Sequence, residues 1–227
     1  MQPAASPLNH FSRRSTAESA ADYIRQAIIC GDLPMGASLS EAAIAEKLNI
    51  SRTPVREAIR QLAMEGLVQL RPFAGASVFR VNRAELRHLA AFREMLEVTA
   101  IAEAIRLHKD PLVAALDGVV AQMRDAVESE AAHRFLMLDS EFHETILKFA
   151  DNPLLCEAYQ LVASRFKALR TFIASDPGKL TRSLASHAEL VTLIASGDLA
   201  LAQAALVAHM RNWEKNFAAD SALHLGD

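Results

Sequence analysis

Residues 39–68 have the sequence LSEAAIAEKLNISRTPVREAIRQLAMEGLV, which predicts two short helices joined by a tight turn. Ser40 is a candidate N-cap for the first helix, and Asn49 suits the left-handed conformation in which helices often end. Ser51 is a candidate N-cap for the second helix. Pro54 falls in the first turn of that helix, where a missing N–H costs nothing because the donor has no partner within the helix.

The second predicted helix carries a row of arginines beside an apolar stripe. Arg52, Arg56 and Arg60 follow one another at four-residue spacing. The stripe consists of Val55, Ile59 and Leu62. In a helix-turn-helix the second helix inserts its N-terminal side chains into the major groove, where arginine forks suit guanine edges and phosphate oxygens. The alternative is a helical hairpin with a solvated arginine face.

A short hairpin is predicted directly after these helices. Gly66 ends the second helix, and strand-like sequences at residues 67–70 and 76–80 flank Arg-Pro-Phe-Ala-Gly at residues 71–75. Such a hairpin would form a wing. Because the Ser-Arg-Thr-Pro start, the arginine row and this hairpin coincide, we prefer a winged helix-turn-helix to the solvated hairpin.

The same residues resemble the GntR family of bacterial transcription regulators. The matching residues are SRTPVREAIR at 51–60, Leu62, and EGLV at 65–68. The resemblance implies that the reading helix faces DNA and that the wing glycine approaches the minor groove. Some members have an additional DNA-contacting arginine at the position that Ala42 occupies in this chain. Ser40 and Glu41 would replace the contact of that arginine only in part. The expected DNA-contacting residues are Ser40, Glu41, Ser51, Arg52, Thr53, Arg56, Arg60 and Gly75.

The composition predicts a mostly helical protein with two domains. The chain has 227 residues, 51% of them hydrophobic, with only eight glycines and eight prolines. Residues 1–80 carry nine Lys+Arg against seven Asp+Glu, a charge of +2, and residues 81–227 carry fifteen against twenty, a charge of −5. A mildly basic N-terminal part and an acidic C-terminal part fit a protein that binds specific DNA sites better than one that coats nucleic acid.

The sequence also predicts a cytoplasmic protein without a membrane partner. No apolar run reaches the length of a membrane span, and residues 1–15 lack the apolar core of a signal peptide. Cys30 and Cys156 fall in different predicted domains, and we expect both to be reduced, buried thiols.

Helical periodicity continues on both sides of the DNA-reading helices. A stripe over residues 16–30 ends at Gly31, and a long pattern from Asn82 to His108 is broken by Asp110-Pro111. Later breaks are predicted at residues 129, 151–153, 175–178 and 196–198.

The predicted fold class is therefore mostly α. A winged helix-turn-helix precedes an antiparallel all-helical bundle of about six helices. The predicted divisions are a flexible tail over residues 1–14, a DNA-binding domain over 15–80, an effector-binding and dimerisation domain over 81–220, and a C-terminal tail over 221–227.

Polar residues interrupt the apolar faces of three predicted bundle helices. Asp139 and His143 lie four residues apart on one face, and His187 and His209 occupy inward positions on two later helices. Burial of an unpaired aspartate is costly, so Asp139 needs a partner. These four residues are ligand types that divalent transition metals favour, and such a site leaves positions open for a small molecule. A hydrogen-bonded core role is the alternative for each histidine, and spacing leaves both interpretations open.

This region resembles the FCD effector domain, which follows the winged helix in the FadR-type subfamily. The matching segments are DSEFH at 139–143, NPLL at 152–155, HAEL at 187–190, SGD at 196–198, and His209. The resemblance implies a divalent metal held by Asp139, His143, His187 and His209. Zinc is the first expectation, and nickel, manganese and iron are also compatible with these ligands.

Arg93 and Glu97 form a second inward polar pair. Arg93 shares a helical face with leucines, so its guanidinium is expected to point inward, and a guanidinium beside a metal suits a small carboxylate. The FCD resemblance implies an effector-binding role for the Arg-x-x-Leu-Glu segment that contains both residues. An internal ion pair between them is the alternative.

Together these patterns predict a ligand-responsive, sequence-specific transcription regulator, by family analogy a repressor, that senses a small organic acid. We expect a homodimer on a double-stranded DNA operator, because one recognition helix reads few base pairs. Two other interpretations are a metal-independent sensor of a larger apolar effector, such as an acyl thioester, and a metal-dependent hydrolase. The sequence lacks a convincing general base beside the proposed ligands, so we do not expect an enzyme.

Overall fold

The computed structural model of the chain describes residues 14–73, 75–171 and 177–219. Its N-terminal part begins with helix α1 (Thr16–Ile29). The elements that follow are strand β1 (Ser38–Leu39), helices α2 (Glu41–Leu48) and α3 (Arg52–Met64), and strands β2 (Val68–Arg71) and β3 (Gly75–Val78). The three strands form an antiparallel sheet with the order β1-β3-β2, in which Val68 pairs with Val78 and Ser38 pairs with Ser77. The predicted wing is present, and β1 is an additional strand.

The ends of α2 and α3 follow the local signals in the sequence. The Ser40 hydroxyl accepts a hydrogen bond from the Ala43 amide, and Asn49 adopts the left-handed conformation with a φ of 52°. Ser51 occupies the N-cap position of α3, but its side chain makes no capping hydrogen bond there. Gly66, with a φ of 73°, lies between α3 and β2.

Helix α4 (Arg83–Glu128) is longer than predicted because the expected end near Pro111 is a kink. Asn82 begins the helix with a reciprocal cap to Glu85, as its sequence position suggests. His108 has non-helical torsions, with φ −143° and ψ 35°, and Pro111 follows inside the merged helix. Pro111 lacks the N–H that would continue the hydrogen-bond ladder, so the helix bends here.

Four further helices complete the bundle. They are α5 (Ala132–Phe149), α6 (Pro153–Thr171), α7 (Pro177–Ser196) and α8 (Leu199–Ala219). When the kinked α4 is counted as two helices, the bundle has the predicted six. The break expected at residues 175–178 lies partly outside the described residues, as do the predicted tails apart from Arg14.

Helix α6 contributes to two hydrophobic cores. The core of the N-terminal part includes Val162, Phe166 and Leu169 from α6. The core of the bundle includes Tyr159 and Ala163 from the same helix. The DNA-reading part and the bundle are thus packed together through α6 as well as joined by the chain.

The predicted burial of both cysteines was wrong. Cys30 is exposed because it lies at the C-cap of α1, beyond the last turn that faces the core, and Cys156 is half-buried. Within the described part of the chain, none of the helices has the length and apolar character that a bilayer crossing requires.

Candidate nucleic-acid interface and metal centre

Helix α3 presents its arginines to solvent. Val55 and Leu62 face the core, whereas Arg52, Arg56 and Arg60 are exposed on the flank beside this buried stripe. Thr53 is also exposed and lies in the first turn. The helix therefore has the exposed basic face that major-groove insertion requires.

Glu41 pairs with Arg56 across the two helices of this motif. The Arg56 Nη2 atom donates to Glu41 Oε2 at 2.7 Å, and Nε donates to Oε1 at 3.0 Å. The hydrogen bonds from Arg56 lower the pKa of the Glu41 carboxyl group. Glu41 and its neighbour Ser40, which caps α2, thus lie beside the arginine face with both side chains already engaged.

Gly75 lies at the start of β3, opposite Arg71 in the register of the hairpin. Its φ of 80° is in the left-handed region, and a Cβ atom added at this position would meet none of the described residues within 4 Å. The glycine is therefore required by the turn rather than by close packing. Its exposure leaves the backbone accessible to a partner.

A bidentate ion pair fixes α1 to the end of α3. Arg25 donates from Nε to Glu65 Oε2 at 2.9 Å and from Nη2 to Oε1 at 2.8 Å. Arg25 also contacts Asp22 on its own helix. A movement of α1 would therefore be transmitted to the reading helix.

The four predicted metal ligands converge in the bundle. Asp139 and His143 come from α5, His187 from α7 and His209 from α8, and their ligand atoms all lie within 4.8 Å of one another. Asp139, His143 and His187 are buried, and His209 is half-buried. The four-residue spacing on α5 places its two side chains on one face, as the sequence indicated.

Each histidine of this cluster has its Nδ1 atom engaged outside the cluster. His143 Nδ1 donates to Glu97 Oε2 at 2.6 Å, and His187 Nδ1 donates to the Ser183 carbonyl oxygen at 2.7 Å. His209 Nδ1 lies 3.0 Å from the Ser186 hydroxyl oxygen. The contacts of His143 and His187, whose partners can only accept, leave the Nε2 lone pairs of these two residues available, which is the usual arrangement behind metal-bound histidines.

The Nε2 atoms of His143 and His187 are buried and have no hydrogen-bond partner within the described chain. His187 Nε2 lies 3.3 Å from Asp139 Oδ1 without the alignment of a hydrogen bond. An imidazole lone pair and a carboxylate oxygen at this distance repel each other unless a cation lies between them. The donor set therefore fits a divalent transition metal.

The electrostatics of the cluster favour neutral His143 and His209 and an ionised Asp139. Burial lowers the pKa of His143 to about 4, assisted by the charge of Arg93. Burial also lowers the pKa of His209 well below its ordinary value, assisted by His187. Burial alone would raise the pKa of Asp139, but the Arg170 guanidinium and the neighbouring histidines outweigh it and hold that pKa well below the ordinary value. These are the protonation states that bind metals.

Glu97 connects Arg93 to this cluster. Its Oε1 accepts from Arg93 Nε at 2.5 Å, while its Oε2 accepts from His143. The internal ion pair that the sequence allowed is therefore present, and Glu97 in addition orients a candidate ligand. The Arg93 guanidinium lies over the ring of Phe166, with 5.0 Å between the guanidinium carbon and the ring centroid.

Arg170 is a site residue that the sequence interpretation missed. Its Nη1 lies 2.8 Å from Asp139 Oδ2 and donates to the Ser140 hydroxyl at 3.0 Å. It thereby supplies the partner that buried Asp139 requires. The available signal was its spacing of four residues from Phe166, which places Arg170 on the buried stripe of α6.

Two sequence-family models match the chain. The model described as "Bacterial regulatory proteins, gntR family" covers residues 16–78, and the model described as "FCD domain" covers residues 88–212. The first match contains the winged helix-turn-helix, and the second contains all four residues of the cluster.

Similar proteins extend these matches over most of the chain. A probable D-xylose utilization operon transcriptional repressor of Paenarthrobacter nicotinovorans is 30% identical, and the alignment covers 88% of both chains. A gluconate operon transcriptional repressor of Bacillus subtilis (strain 168) is 28% identical, over 86% of this chain and 82% of that protein. The solved structure of E. coli McbR/YncC shares the fold with a TM-score of 0.80 at 21% identity, over 92% of this chain and 100% of that chain.

Proposed function

The chain belongs to the GntR family of bacterial regulatory proteins and contains an FCD domain, and from this premise we propose that it is a metal-dependent repressor released by a small organic acid. It is a DNA-binding transcriptional regulator rather than an enzyme, like the named repressors that it resembles. The proposal concerns the metal, the class of effector and the residues that serve each role.

The observation that carries the proposal is the orientation of the three histidines. Their Nδ1 atoms are held by Glu97, the Ser183 carbonyl group and the Ser186 hydroxyl group, which leaves the opposite ring nitrogens for a shared ligand beside Asp139. A histidine that only fills space in the core does not need its free ring nitrogen to point toward those of two other histidines. Unpaired acceptors in a buried cluster are costly without a cation, so a metal explains the arrangement better than packing does.

In this proposal Asp139, His143, His187 and His209 hold a divalent metal, with zinc as the first candidate. When bound, the metal supplies a Lewis-acidic position for one carboxylate of the effector. Arg93 contributes a guanidinium donor to the same acid, and Glu97 orients His143 and balances the charge of Arg93. The preorganised arginine and histidines lower the cost of ordering the site around its ligand.

On the DNA side, we assign the operator face to Ser40, Glu41, Ser51, Arg52, Thr53, Arg56, Arg60 and Gly75. Their exposure or position beside the exposed face of α3 supports this assignment. The reading part would correspond to residues 15–80 and the sensing part to residues 81–220. Two copies would act together, because one recognition helix reads too few base pairs for useful specificity.

The effector can release the operator only by favouring one of two arrangements of the protein. Arg170 contacts Asp139, and the next residue, Thr171, donates to the Ile29 carbonyl of α1. Because α1 is also tied to α3 by the Arg25–Glu65 pair, a shift of α6 would reorient the reading helix. This connection supports a mechanism in which acid binding moves the two reading helices out of register with the operator.

Elemental analysis of the purified full chain tests the metal directly. We expect near-stoichiometric divalent metal in the wild type and its loss in His143→Ala and His187→Ala. His88→Ala is the matched control, because His88 is exposed and lies outside the cluster. Operator binding should then be measured by footprinting upstream of the protein's own gene, with and without gluconate, the acid named in one relative, and other organic acids.

Two outcomes would contradict the proposal. Wild-type protein that takes up no divalent metal at physiological concentrations would favour the metal-independent sensor of a larger apolar effector. Metal-loaded protein whose operator binding responds to no organic acid would remove the assigned effector class.

A further inference from the structure

Two buried arginines beside the cluster are only partly paired. Arg93 is 2% exposed and donates from Nε to Glu97, and Arg170 is 4% exposed and pairs through Nη1 with Asp139. The Nη2 atoms of both arginines are buried and have no hydrogen-bond partner among the described residues. An unpaired buried guanidinium donor is costly. The two Nη2 atoms are therefore donors that a bound anion can satisfy.

The buried ionic groups balance one another only while the metal is absent. Arg93 and Arg170 carry two positive charges, and Glu97 and Asp139 carry two negative charges. Histidines that hold a metal are neutral. On the proposed function, on which this inference rests, a divalent ion adds two positive charges to this region. Uncompensated charge in a protein interior is strongly disfavoured.

The charge of the ligand follows from this balance. A monocarboxylate would neutralise only half of the added charge. A ligand with two carboxylates neutralises all of the charge and provides a separate acceptor for the arginines. Guanidinium groups bind carboxylates with good geometry and with charge-assisted hydrogen bonds.

We propose that the effector is a small dicarboxylate, with one carboxylate at the metal and the other received by the free donors of Arg93 and Arg170. Arg170 is then a specificity-determining residue, which selects the second carboxylate while it holds Asp139 in place.

Matched acids test the proposal on the unmodified protein. Zinc-loaded full chain should be titrated by calorimetry with succinate and with succinamate, its monoamide, and then with glutarate and its monoamide. Each pair has the same length and differs by one negative charge. Because a charge-assisted hydrogen bond contributes more than a neutral one, we expect one of the diacids to bind about 10- to 100-fold more tightly than its monoamide. Gluconate serves as a hydroxylated monoanion and should bind more weakly than that diacid.

A variant identifies the residue responsible. Arg170→Lys keeps the charge beside Asp139 but replaces the two terminal nitrogens of the guanidinium fork by one, which cannot take the place of both Nη1 at Asp139 and Nη2 at the ligand. The ratio of diacid to monoamide affinity should therefore fall toward one while zinc stoichiometry is retained. Arg124→Lys, on the exposed side of α4, is the control and should leave the ratio unchanged.

The outcomes separate this inference from the proposed function. Zinc retained at full stoichiometry with equal or tighter binding of the monoamides, or with no binding of any diacid, would overturn the dicarboxylate alone. A wild-type protein that retains no metal would overturn the proposed function and this inference with it.

Discussion

The Thr171 hydroxyl donates a hydrogen bond to the backbone carbonyl oxygen of Ile29, at 2.5 Å, across 142 residues of sequence. Thr171 immediately follows Arg170, which contacts Asp139 in the candidate metal centre. Two consecutive residues at the end of α6 therefore contact the sensing cluster and the first helix of the DNA-binding part.

Thr171→Val should uncouple sensing from DNA release. The substitution preserves the shape of the side chain but removes the donor to α1, which costs about 1 kcal/mol of unfolding free energy. We expect unchanged metal content and acid affinity, and a smaller effect of acid on operator affinity in a gel-shift titration. Thr192→Val is the control, because Thr192 is exposed and donates within its own helix. An unaltered acid response in Thr171→Val would exclude this hydrogen bond from the coupling.

Glu97→Gln should weaken metal binding although Glu97 is not among the four candidate ligands. The carboxylate accepts the Nδ1 proton of His143 and balances Arg93, and loss of such an outer partner lowers metal affinity by about 10- to 100-fold. Competition with a chromogenic chelator measures the change. Glu94→Gln, which breaks the surface pair with Arg211, should retain wild-type affinity. Equal affinities in the two variants would show that His143 needs no carboxylate behind it.

Arg52→Ala should weaken binding to the specific operator by about 1–3 kcal/mol if its guanidinium makes a bidentate base contact. Fluorescence anisotropy with operator and scrambled DNA, at one fixed salt concentration, distinguishes a base contact from a phosphate contact. Arg124→Ala should have no effect, because Arg124 is exposed on α4. Parallel losses on both DNA sequences would instead assign Arg52 to the phosphate backbone.

The metal-free protein should lose stability as the pH falls from 6.5 toward 4. The folded-state pKa of His143 is lowered to about 4, so between these values the unfolded chain binds more protons than the folded chain. The contribution of neutral His143 to the free energy of unfolding is complete above pH 6.5. By pH 5, His143 alone lowers the free energy of unfolding by about 2 kcal/mol. The lowered pKa values of Asp139 and Glu97 remove stability mainly below about pH 4.5, so these carboxyl groups add to the loss only at the acid end of this window.

Urea unfolding with a chelator at pH 7.5, 6 and 5 measures this dependence. His143→Gln should make the curve shallower over this range, with a remaining slope from His209, whose pKa is also lowered by burial. His88→Gln should preserve the wild-type slope because His88 is exposed. A free energy of unfolding that stays constant or rises as the pH falls would contradict the assignment of a buried neutral His143.

The sequence predicted the helices of the DNA-binding part well because their signals are local. The Ser40 cap, the left-handed Asn49 and the glycine after α3 each depend on a few neighbouring residues. Strand β1 has only two residues, and its pairing with β3 joins positions far apart in the chain, so no periodicity could identify it. Pro111 correctly indicated a disruption, but buried residues on both sides, Ala104 and Leu112, keep the two halves of α4 in one bent helix.

For the candidate metal centre, the sequence predicted which residues would converge but not which residues would support them. The helical spacing of Asp139 and His143 is a local property, and their convergence with the two later histidines agrees with the structure. The bond from His143 to Glu97 and the contact of Arg170 with Asp139 join residues on different helices. Such pairs depend on how the helices are packed, and one sequence contains no direct record of that packing.

The dual membership of α6 limits how this protein can be re-engineered. A chimera cut near residue 80 would keep every element of the winged helix yet deprive its core of Val162, Phe166 and Leu169, which come from the sensing half. The DNA-binding part therefore cannot be exchanged between proteins as an independent domain. A functional transplant of its DNA specificity should retain the native α6 surface and alter only the exposed side of α3.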